Sequence, residues 1–179
     1  AIGVDASRYS LARTDYNTSV DIDLDLLASH SNDNPVYYVQ YAHARSCNVA
    51  RNAADAGISA DGADLSLLNT EADGEVLAAL AQWPAALAQA GDLRAPHRVA
   101  HYLEDLAASY HKWYNLERVV PMELSDPENR LPEAEREAQR IAKCPEPARA
   151  AARLKLNEAV RTVIASGLDL LGVSAPDKM

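Results

Sequence analysis

A long helix begins with the stretch Asn34-Pro35-Val36-Tyr37-Tyr38-Val39-Gln40-Tyr41-Ala42-His43-Ala44-Arg45. Asparagine is favoured just before a helix, because its side-chain oxygen can accept a hydrogen bond from a free backbone N–H, and proline suits the next position. No helix breaker follows until Gly57, which stands where a left-handed terminating residue is expected. The pattern therefore predicts a helix over residues 35–56.

One face of this helix is unusually polar and aromatic for a helix that packs in a bundle. Arginine forks bind phosphates, aromatic rings stack on unpaired bases, and amides bond to base edges. All three residue types recur here at spacings of three and four, which place them on one face. The residues on this face are Tyr41, Arg45, Asn48 and either Arg51 or Asn52.

The composition favours a helical protein with a real core. The 179 residues suffice for one domain, or for one domain with a small appendage. Apolar residues make up 48% of the chain, alanine and leucine dominate them, and phenylalanine is absent, which favours helices. The formal net charge of −9 argues against non-specific coating of nucleic acid and against a DNA-binding protein, although a local basic face remains compatible with it.

Several kinds of site are disfavoured by spacing. Cys47 and Cys144 are far apart and lack partner spacing, so we expect neither a disulfide framework nor a zinc site, and we interpret them as reduced thiols of a cytoplasmic protein. His97 and His101 are four residues apart and offer an alternative metal-binding pair, but no third ligand stands at a useful offset. No apolar run of about eighteen residues and no signal peptide is visible, so no membrane partner is expected.

The first third of the chain contains two shorter predicted elements. Residues 1–13 have helical spacing, with Asp5 as a plausible cap. Residues 20–26 alternate apolar and acidic side chains, which is typical of a half-buried strand. Aspartates also favour the first turn of a helix, so a helix over residues 24–30 remains the alternative. We expect a short extended piece that continues into a helix.

The middle of the chain predicts a helix that proline interrupts. Thr70 or Asp73 can cap it, and Pro84 inside the pattern predicts either a kink or two abutting helices. Gly91 is expected to end the segment.

Two more long helices follow, over residues 94–120 and 146–171. The first carries a core stripe from Val99 to Leu116, and the second ends at Gly172. Residues 123–147, between them, are rich in Glu, Arg and Pro, which predicts an exposed charged insertion.

The quoted stretch also carries a family resemblance. It resembles the helix that opens the anticodon-binding domain of bacterial-type class I arginyl-tRNA synthetases, and residues 40–45 are its most specific part. Residues 1–13 resemble the segment that follows the catalytic domain's Lys-Met-Ser-Lys-Ser-type loop, and residues 21–26 resemble the stretch that leads into the bundle. Residues 167–179 resemble the family's carboxyl terminus. The resemblance thus covers nearly the whole chain, as the C-terminal part of such an enzyme.

This resemblance implies a mainly all-α fold. The fold would be an antiparallel helix bundle with a small N-terminal connector that can include one short strand. Residues 1–33 would form the connector that contacts the tRNA stem, and residues 34–179 the helical anticodon-binding domain. The chain begins in mid-pattern with alanine, so we expect it to be a fragment.

The resemblance also implies a function. This part would bind the anticodon loop of arginine tRNA, so that a catalytic domain outside the chain charges the tRNA with arginine. The chain lacks the family's His-Ile-Gly-His-like and Lys-Met-Ser-Lys-Ser-like motifs, so we expect no ligase activity from it alone. ATP and magnesium would belong to the parent enzyme, and no cofactor to this part. The expected partners are arginine tRNA and the catalytic domain, within a cytoplasmic monomer.

Family anticodon contacts map onto individual residues of this chain. The motif match carries over Tyr41, Arg45 and Arg51, and a similar aromatic segment over residues 110–115 adds Tyr114. Asn48 follows from its place on the helix face, and charge and position suggest Arg118 and Arg153 as weaker candidates. His43 lies off the face, so we interpret it as a helix-packing residue. The predicted tRNA-binding residues are therefore Tyr41, Arg45, Asn48, Arg51, Tyr114, Arg118 and the terminal Met179.

An alternative function remains open from the sequence. The chain can instead be a helical interaction module that mainly packs against the catalytic domain and binds little RNA. The salt dependence of RNA binding separates the two, because phosphate contacts release counterions.

Overall fold

A computed structural model of the protein describes residues 2–120 and 145–179, and within these ranges the chain forms helices and no strand. The mainly all-α bundle is therefore confirmed. The insertion predicted over residues 123–147 lies almost entirely outside the described residues. The helices are α1 (Val4–Ala12), α2 (Leu24–Ala28), α3 (Pro35–Asp55), α4 (Glu71–Ala81), α5 (Trp83–Asp92), α6 (His97–Leu116) and α7 (Pro147–Leu170), with a 3₁₀ turn at Leu65–Leu67.

The start of α3 differs from prediction in one detail. Asn34 has the extended backbone of a capping residue, but its side chain makes no capping bond. Its Nδ2 instead donates hydrogen bonds to the carbonyl oxygens of Leu27 (3.2 Å) and Ser29 (2.8 Å). The predicted side-chain cap was wrong because Asn34 is buried, and its amide satisfies two carbonyls at the C-terminal end of α2.

The end of α3 is as predicted. Gly57 has φ +72°, and the N–H of Ile58 donates to the carbonyl of Ala53 at 2.8 Å. This left-handed termination satisfies the last free carbonyls of the helix. Gly172 (φ +66°) ends α7 in the same way.

The N-terminal segment corrects two expectations. The residue that precedes α1 is Gly3, whereas Asp5 lies in the first turn and does not cap it. Residues 20–23 form no strand, and Asp23 caps α2 by accepting bonds from the N–H groups of Asp25 and Leu26 at 3.0 Å. The helical alternative is therefore correct, because the carboxylate of Asp23 satisfies the free donors of a helix start.

The break that Pro84 predicted within this segment is confirmed, and it lies between α4 and α5. Thr70 and Asp73 form a reciprocal capping box at the start of α4, and Pro84 lies in the first turn of α5, so the two helices abut. Gly91 does not end the segment, because α5 continues to Asp92. Arg94 occupies the left-handed terminating position instead, with φ +52°.

The core lies between α3, α6 and α7, with α4 and α5 packed on α6. Leu116 was predicted to belong to it, but α6 ends there and its side chain is 64% exposed. Gly167 on α7 approaches α6 so closely that a Cβ there would lie 2.6 Å from a methyl carbon of Leu103. The largest apolar side chains that are fully buried in this core are Val39, Val76, Leu103, Leu106, Trp113, Val160, Ile164 and Leu168.

The core also contains a polar link between its three central helices. The hydroxyl of Tyr110 donates to Oδ1 of Asn157 at 2.7 Å, and Nδ2 of Asn157 donates to the carbonyl of Ser46 at 3.0 Å. Each of these buried polar groups therefore has a partner, which fixes the register of α6 and α7 against α3.

Helix α1 is attached to this core through α6. Tyr9 is 1% exposed, and its hydroxyl donates to the carbonyl of Ala100 at 3.1 Å. Arg13 forms a two-bond ion pair with Glu104, with N···O distances of 2.6 and 3.0 Å. The N-terminal helix is thus held in a defined place beside the bundle.

Candidate nucleic-acid interface

Arg45 on α3 is the centre of an aromatic cluster that α3 and α6 build together. Its guanidinium carbon lies 4.7 Å from the ring centroid of Tyr41 and 4.3 Å from that of Tyr114. Its Nη2 donates to the Tyr41 hydroxyl at 2.9 Å. Two rings at these distances hold a cation by their quadrupoles. The structure thus brings together three of the predicted residues, which we call the Arg45 cluster.

His111 completes the cluster from α6. Its Nδ1 lies 3.1 Å from Nη1 of Arg45, and its Nε2 lies 3.4 Å from the carbonyl oxygen of Tyr38. Because a guanidinium can only donate, Nδ1 is the acceptor and Nε2 carries the proton. Burial, together with the neighbouring Arg45 charge, lowers the pKa of His111 to about 4. His111 is therefore neutral near pH 7 and serves as an acceptor for Arg45.

The aromatic surface extends beyond the cluster as a row of stacked rings. The ring centroids of Tyr41 and Tyr37 are 6.0 Å apart, with planes inclined by only 7°. Tyr37 in turn stacks on His30 at 5.6 Å, and Tyr41 stacks on His111 at 5.6 Å. The tyrosines are half-buried and His30 is exposed. Part of this row therefore remains accessible to a planar ligand such as a nucleobase.

Sequence reasoning missed three members of this surface. Tyr37 lies four residues before Tyr41, so helical spacing could have found it. His111 lies inside the aromatic segment that supplied Tyr114, three residues earlier on the same helix. No signal in the sequence indicates His30, since it lies outside α2 and α3 and reaches Tyr37 only through the fold.

No carboxylate of residues 2–120 or 145–179 forms an ion pair with Arg45. A carboxylate partner would neutralise the guanidinium and occupy its donors. The aromatic partners leave its charge available for an anion.

The remaining predicted residues lie outside the cluster. Asn48 and Arg51 are exposed on the following turns of α3, and Nη1 of Arg51 donates to the carbonyl of Asp177 at 3.3 Å. Arg118 lies just after α6, and its backbone carbonyl oxygen accepts a hydrogen bond from Arg153. Met179 is 53% exposed.

The C-terminal segment runs along α3 and brings Met179 toward the Arg51 end of the helix. Gln40 donates to the carbonyl of Ser174 at 2.9 Å, and Nδ1 of His43 lies 3.0 Å from the carbonyl of Pro176. His43 is buried in this contact. Residues 174, 176 and 177 thus contact Gln40, His43 and Arg51 in that order along α3. The end of the chain therefore lies beside the second half of this helix.

Arg153 is a structural residue. It is 6% exposed, its Nη2 donates to the carboxylate of Glu117, and its Nη1 donates to the carbonyl of Arg118 at 3.0 Å. Its Nε lies 3.9 Å from Oδ1 of the buried Asp73. The weak sequence-based suggestion that it contacts RNA is therefore wrong, because its guanidinium is committed inside the bundle.

The histidine pair considered for metal binding lies at the start of α6. The ring centroids of His97 and His101 are 6.0 Å apart. Within the described parts of the chain, no third ligand joins them. None of the helices in these parts is both long enough and apolar enough to span a membrane.

The comparisons with known proteins are consistent with each other. A family model described as the DALR anticodon binding domain matches residues 39–179. The chain is 82% identical over 179 residues to the arginine–tRNA ligase of Bifidobacterium adolescentis, covering 100% of this chain and 30% of that protein. It is 53% identical over 180 residues to the arginine–tRNA ligase of Kineococcus radiotolerans, covering 100% of this chain and 29% of that protein.

A solved structure shares the fold. The arginyl-tRNA synthetase of Thermus thermophilus matches with a TM-score of 0.71 and 32% identity, over 98% of this chain and 26% of that chain. The chain thus spans about 30% of the length of the curated relatives it matches.

Proposed function

The chain belongs to the DALR anticodon-binding domain family, and on this basis we propose that it binds the anticodon loop of arginine tRNA. The observation that carries the proposal is the Arg45 cluster, in which a cation without a carboxylate partner among the described residues lies between two half-buried tyrosines. Unpaired loop bases are recognised by such stacking surfaces and by arginines that hold the phosphates.

The proposed contacts divide by chemistry. Tyr41 and the Tyr37 ring beside it would stack on unpaired bases, each stacked base contributing about 1–3 kcal/mol. Arg45 and Arg51 would contact phosphates, and the exposed Asn48 amide would bond to a base edge. Tyr114 supports Arg45 from α6. Beyond this group, Arg118 and Met179 are kept as proposed contacts at the end of α6 and at the chain end.

The role of the whole protein follows from its relatives. They are named arginine–tRNA ligases, so we propose that the rest of the protein charges the bound tRNA with arginine, using ATP and magnesium, as a monomer in the cytoplasm. Residues 1–33 would form the connector along the tRNA stem, and residues 34–179 the anticodon-binding domain. The catalytic domain would be the chain's second partner.

A second candidate function is a packing module with little RNA binding of its own. The observation in its favour is that three apolar side chains in the N-terminal part, Val4, Leu11 and Leu24, are each at least 60% exposed. If these side chains form one surface, another part of a protein would be expected to cover it. RNA binding by the chain alone decides between the two functions.

The first test measures binding of a fluorescent arginine-tRNA anticodon stem-loop by anisotropy. We expect Tyr41→Ala to weaken binding by roughly 5- to 150-fold, because it removes one stacking platform. Tyr16→Ala is the matched control, since Tyr16 is 87% exposed and lies in the loop after α1. Equal affinity of wild type and Tyr41→Ala would overturn the assignment of the reading surface. Absence of binding by the wild-type chain would favour the packing module.

A further inference from the structure

A second group of functional side chains lies on the other side of α3. His43 and Cys47 are one turn apart on this helix and are both buried, and Asp177 comes from the C-terminal segment. One ligand atom from each of the three lies within 4.8 Å of the other two. The group therefore combines an imidazole, a thiol and a carboxylate at one point.

The hydrogen bonds of the group leave Nε2 of His43 available as a metal ligand. Since the carbonyl of Pro176 can only accept, Nδ1 of His43 is the donor in their 3.0 Å contact, and Nε2 keeps its lone pair. A backbone carbonyl on one ring nitrogen is the usual support for a histidine whose other nitrogen binds a metal. The thiol of Cys47 donates to Oδ1 of Asp177 at 3.4 Å, so the carboxylate already faces the sulfur.

We propose that His43, Cys47 and Asp177 form a binding site for one zinc ion. Zinc accepts nitrogen, sulfur and oxygen ligands together, with Zn–S near 2.3 Å and Zn–N near 2.0–2.1 Å. In a tetrahedral site these bond lengths correspond to S···N and S···O separations of roughly 3.5 Å. The sulfur lies 3.9 Å from Nε2 and 3.4 Å from the Asp177 oxygen.

Only a small movement separates this arrangement from a loaded site. The sulfur of Cys47 lies 3.8 Å from Nδ1 and 3.9 Å from Nε2 of His43, so it is almost equally distant from the two ring nitrogens. A shortening of the S···Nε2 separation by about 0.4 Å would reach the value expected for a tetrahedral site. Three protein ligands leave the fourth zinc position to water, which can enter because Asp177 is exposed.

The binding step is a proton exchange without oxidation or reduction. The S–H bond of Cys47 breaks, its proton leaves to the buffer, and the sulfur lone pair binds the ion, while Nε2 and the carboxylate donate their own lone pairs. Burial and the Asp177 contact raise the pKa of the Cys47 thiol, whereas Arg51 and Arg161 lower it. Because the S–H of Cys47 is the donor in its contact with Asp177, zinc must displace that proton.

Zinc at this point would tie the chain end to α3. Asp177 lies two residues before Met179, and its carbonyl accepts the bond from Arg51. Sequence spacing does not reveal the site, because Cys47 and Asp177 are 130 residues apart. Zinc binding requires no RNA, so it is tested separately from the proposed function.

The test uses the chain after treatment with a chelator and Co²⁺ as the spectroscopic probe, followed by competition with Zn²⁺. We expect one equivalent of Co²⁺ to produce a thiolate charge-transfer band in the near ultraviolet, and one equivalent of Zn²⁺ to remove it. Cys47→Ser should abolish the band, whereas Cys144→Ser, the matched control, should keep it. A band that survives Cys47→Ser, or no band in the wild type, overturns the proposal.

A milder variant keeps the test valid if Cys47→Ser fails to fold. Asp177 is exposed, so Asp177→Asn leaves the buried ligands in place, and we expect zinc affinity to fall by more than about tenfold. Calorimetry at pH 7 in buffers of different ionisation enthalpy should report about one proton released per ion. Unchanged affinity in Asp177→Asn, or no proton release, contradicts the site.

Discussion

The conspicuous motif Gln40-Tyr41-Ala42-His43-Ala44-Arg45 combines two kinds of residue. Gln40 bonds to Asp5 of α1 and to Ser174 of the C-terminal segment, each at 2.9 Å, and His43 contacts the carbonyl of Pro176. Ala42 is fully buried. Of this motif, the side chains of Tyr41 and Arg45 are the ones available to the proposed RNA ligand. The motif therefore holds both chain ends against α3 in addition to supplying the proposed contacts.

At the same residue scale, His111 should make stability depend on pH. Its pKa is about 4 in the folded chain and about 6.5 in the unfolded chain. The unfolded state therefore binds the proton first, so the stability that neutral His111 contributes is complete above pH 6.5 and is lost as the pH falls toward 4. We expect the free energy of unfolding, measured with urea, to fall less steeply from pH 7 to pH 5 in His111→Gln than in wild type.

The control for this measurement is His101→Gln on the same helix. His101 is exposed, so its replacement should leave the steep pH dependence in place. Parallel pH profiles for wild type and His111→Gln would show that the buried imidazole is not the source.

At the scale of elements, a buried network joins α4, α6 and α7. Asp73 is fully buried, and its Oδ1 accepts a hydrogen bond from the indole nitrogen of Trp113 at 2.8 Å. The same oxygen faces Arg153 at 3.9 Å. Asp73 also bonds to the N–H of Thr70 at 3.2 Å in the capping box. The Asp73 carboxylate thus contacts side chains of α6 and α7, and it also caps the start of α4.

We expect Asp73→Ala to destabilise the chain by about 3–5 kcal/mol, because it leaves the buried indole N–H of Trp113 without its acceptor and removes the capping box of α4. It also takes away one of the two carboxylates near the buried Arg153, whose remaining partner is Glu117. The measurement is the free energy of unfolding from urea titration. Glu75→Ala is the matched control on α4, since its ion pair with Lys112 is at the surface and should contribute far less. Equal losses in the two variants would contradict the role assigned to the network.

At the scale of the whole molecule, the charge distribution constrains how RNA can bind. The net charge is −9, so long-range attraction to phosphates is weak and binding has to rely on local contacts. Among residues 2–120 and 145–179, the α3 face supplies Arg45 and Arg51 beside the aromatic row. Selective binding of an unpaired loop fits this distribution better than coating of duplex RNA.

This distribution predicts the salt dependence of binding. The logarithm of the affinity for the stem-loop should fall linearly with the logarithm of salt concentration, by about 0.7 for each phosphate contact. Arg51→Gln removes one proposed phosphate contact and should therefore reduce the magnitude of that slope by about 0.7. Arg98→Gln is the matched control, because Arg98 is exposed at the start of α6, where it bonds to Gln89. A slope that Arg51→Gln leaves unchanged would remove Arg51 from the proposed phosphate contacts.

The sequence by itself determined several of the helix boundaries. Gly57, Gly172, Pro84 and the capping box at Thr70 all act within a few residues along the chain, because helix hydrogen bonds join residues four apart. The resemblance added the family, because the motifs that carry it, such as residues 40–45 and 167–179, are themselves short and local.

The tertiary structure alone decided which side chains meet. Arg45 lies 66 residues from His111, and Asn34, Asp5 and Arg153 all take partners that local patterns did not indicate. These contacts arise when α3, α6 and α7 pack, because burying polar groups costs free energy unless each finds a partner. Helical spacing predicts a face, but packing determines which residues of other helices complete it.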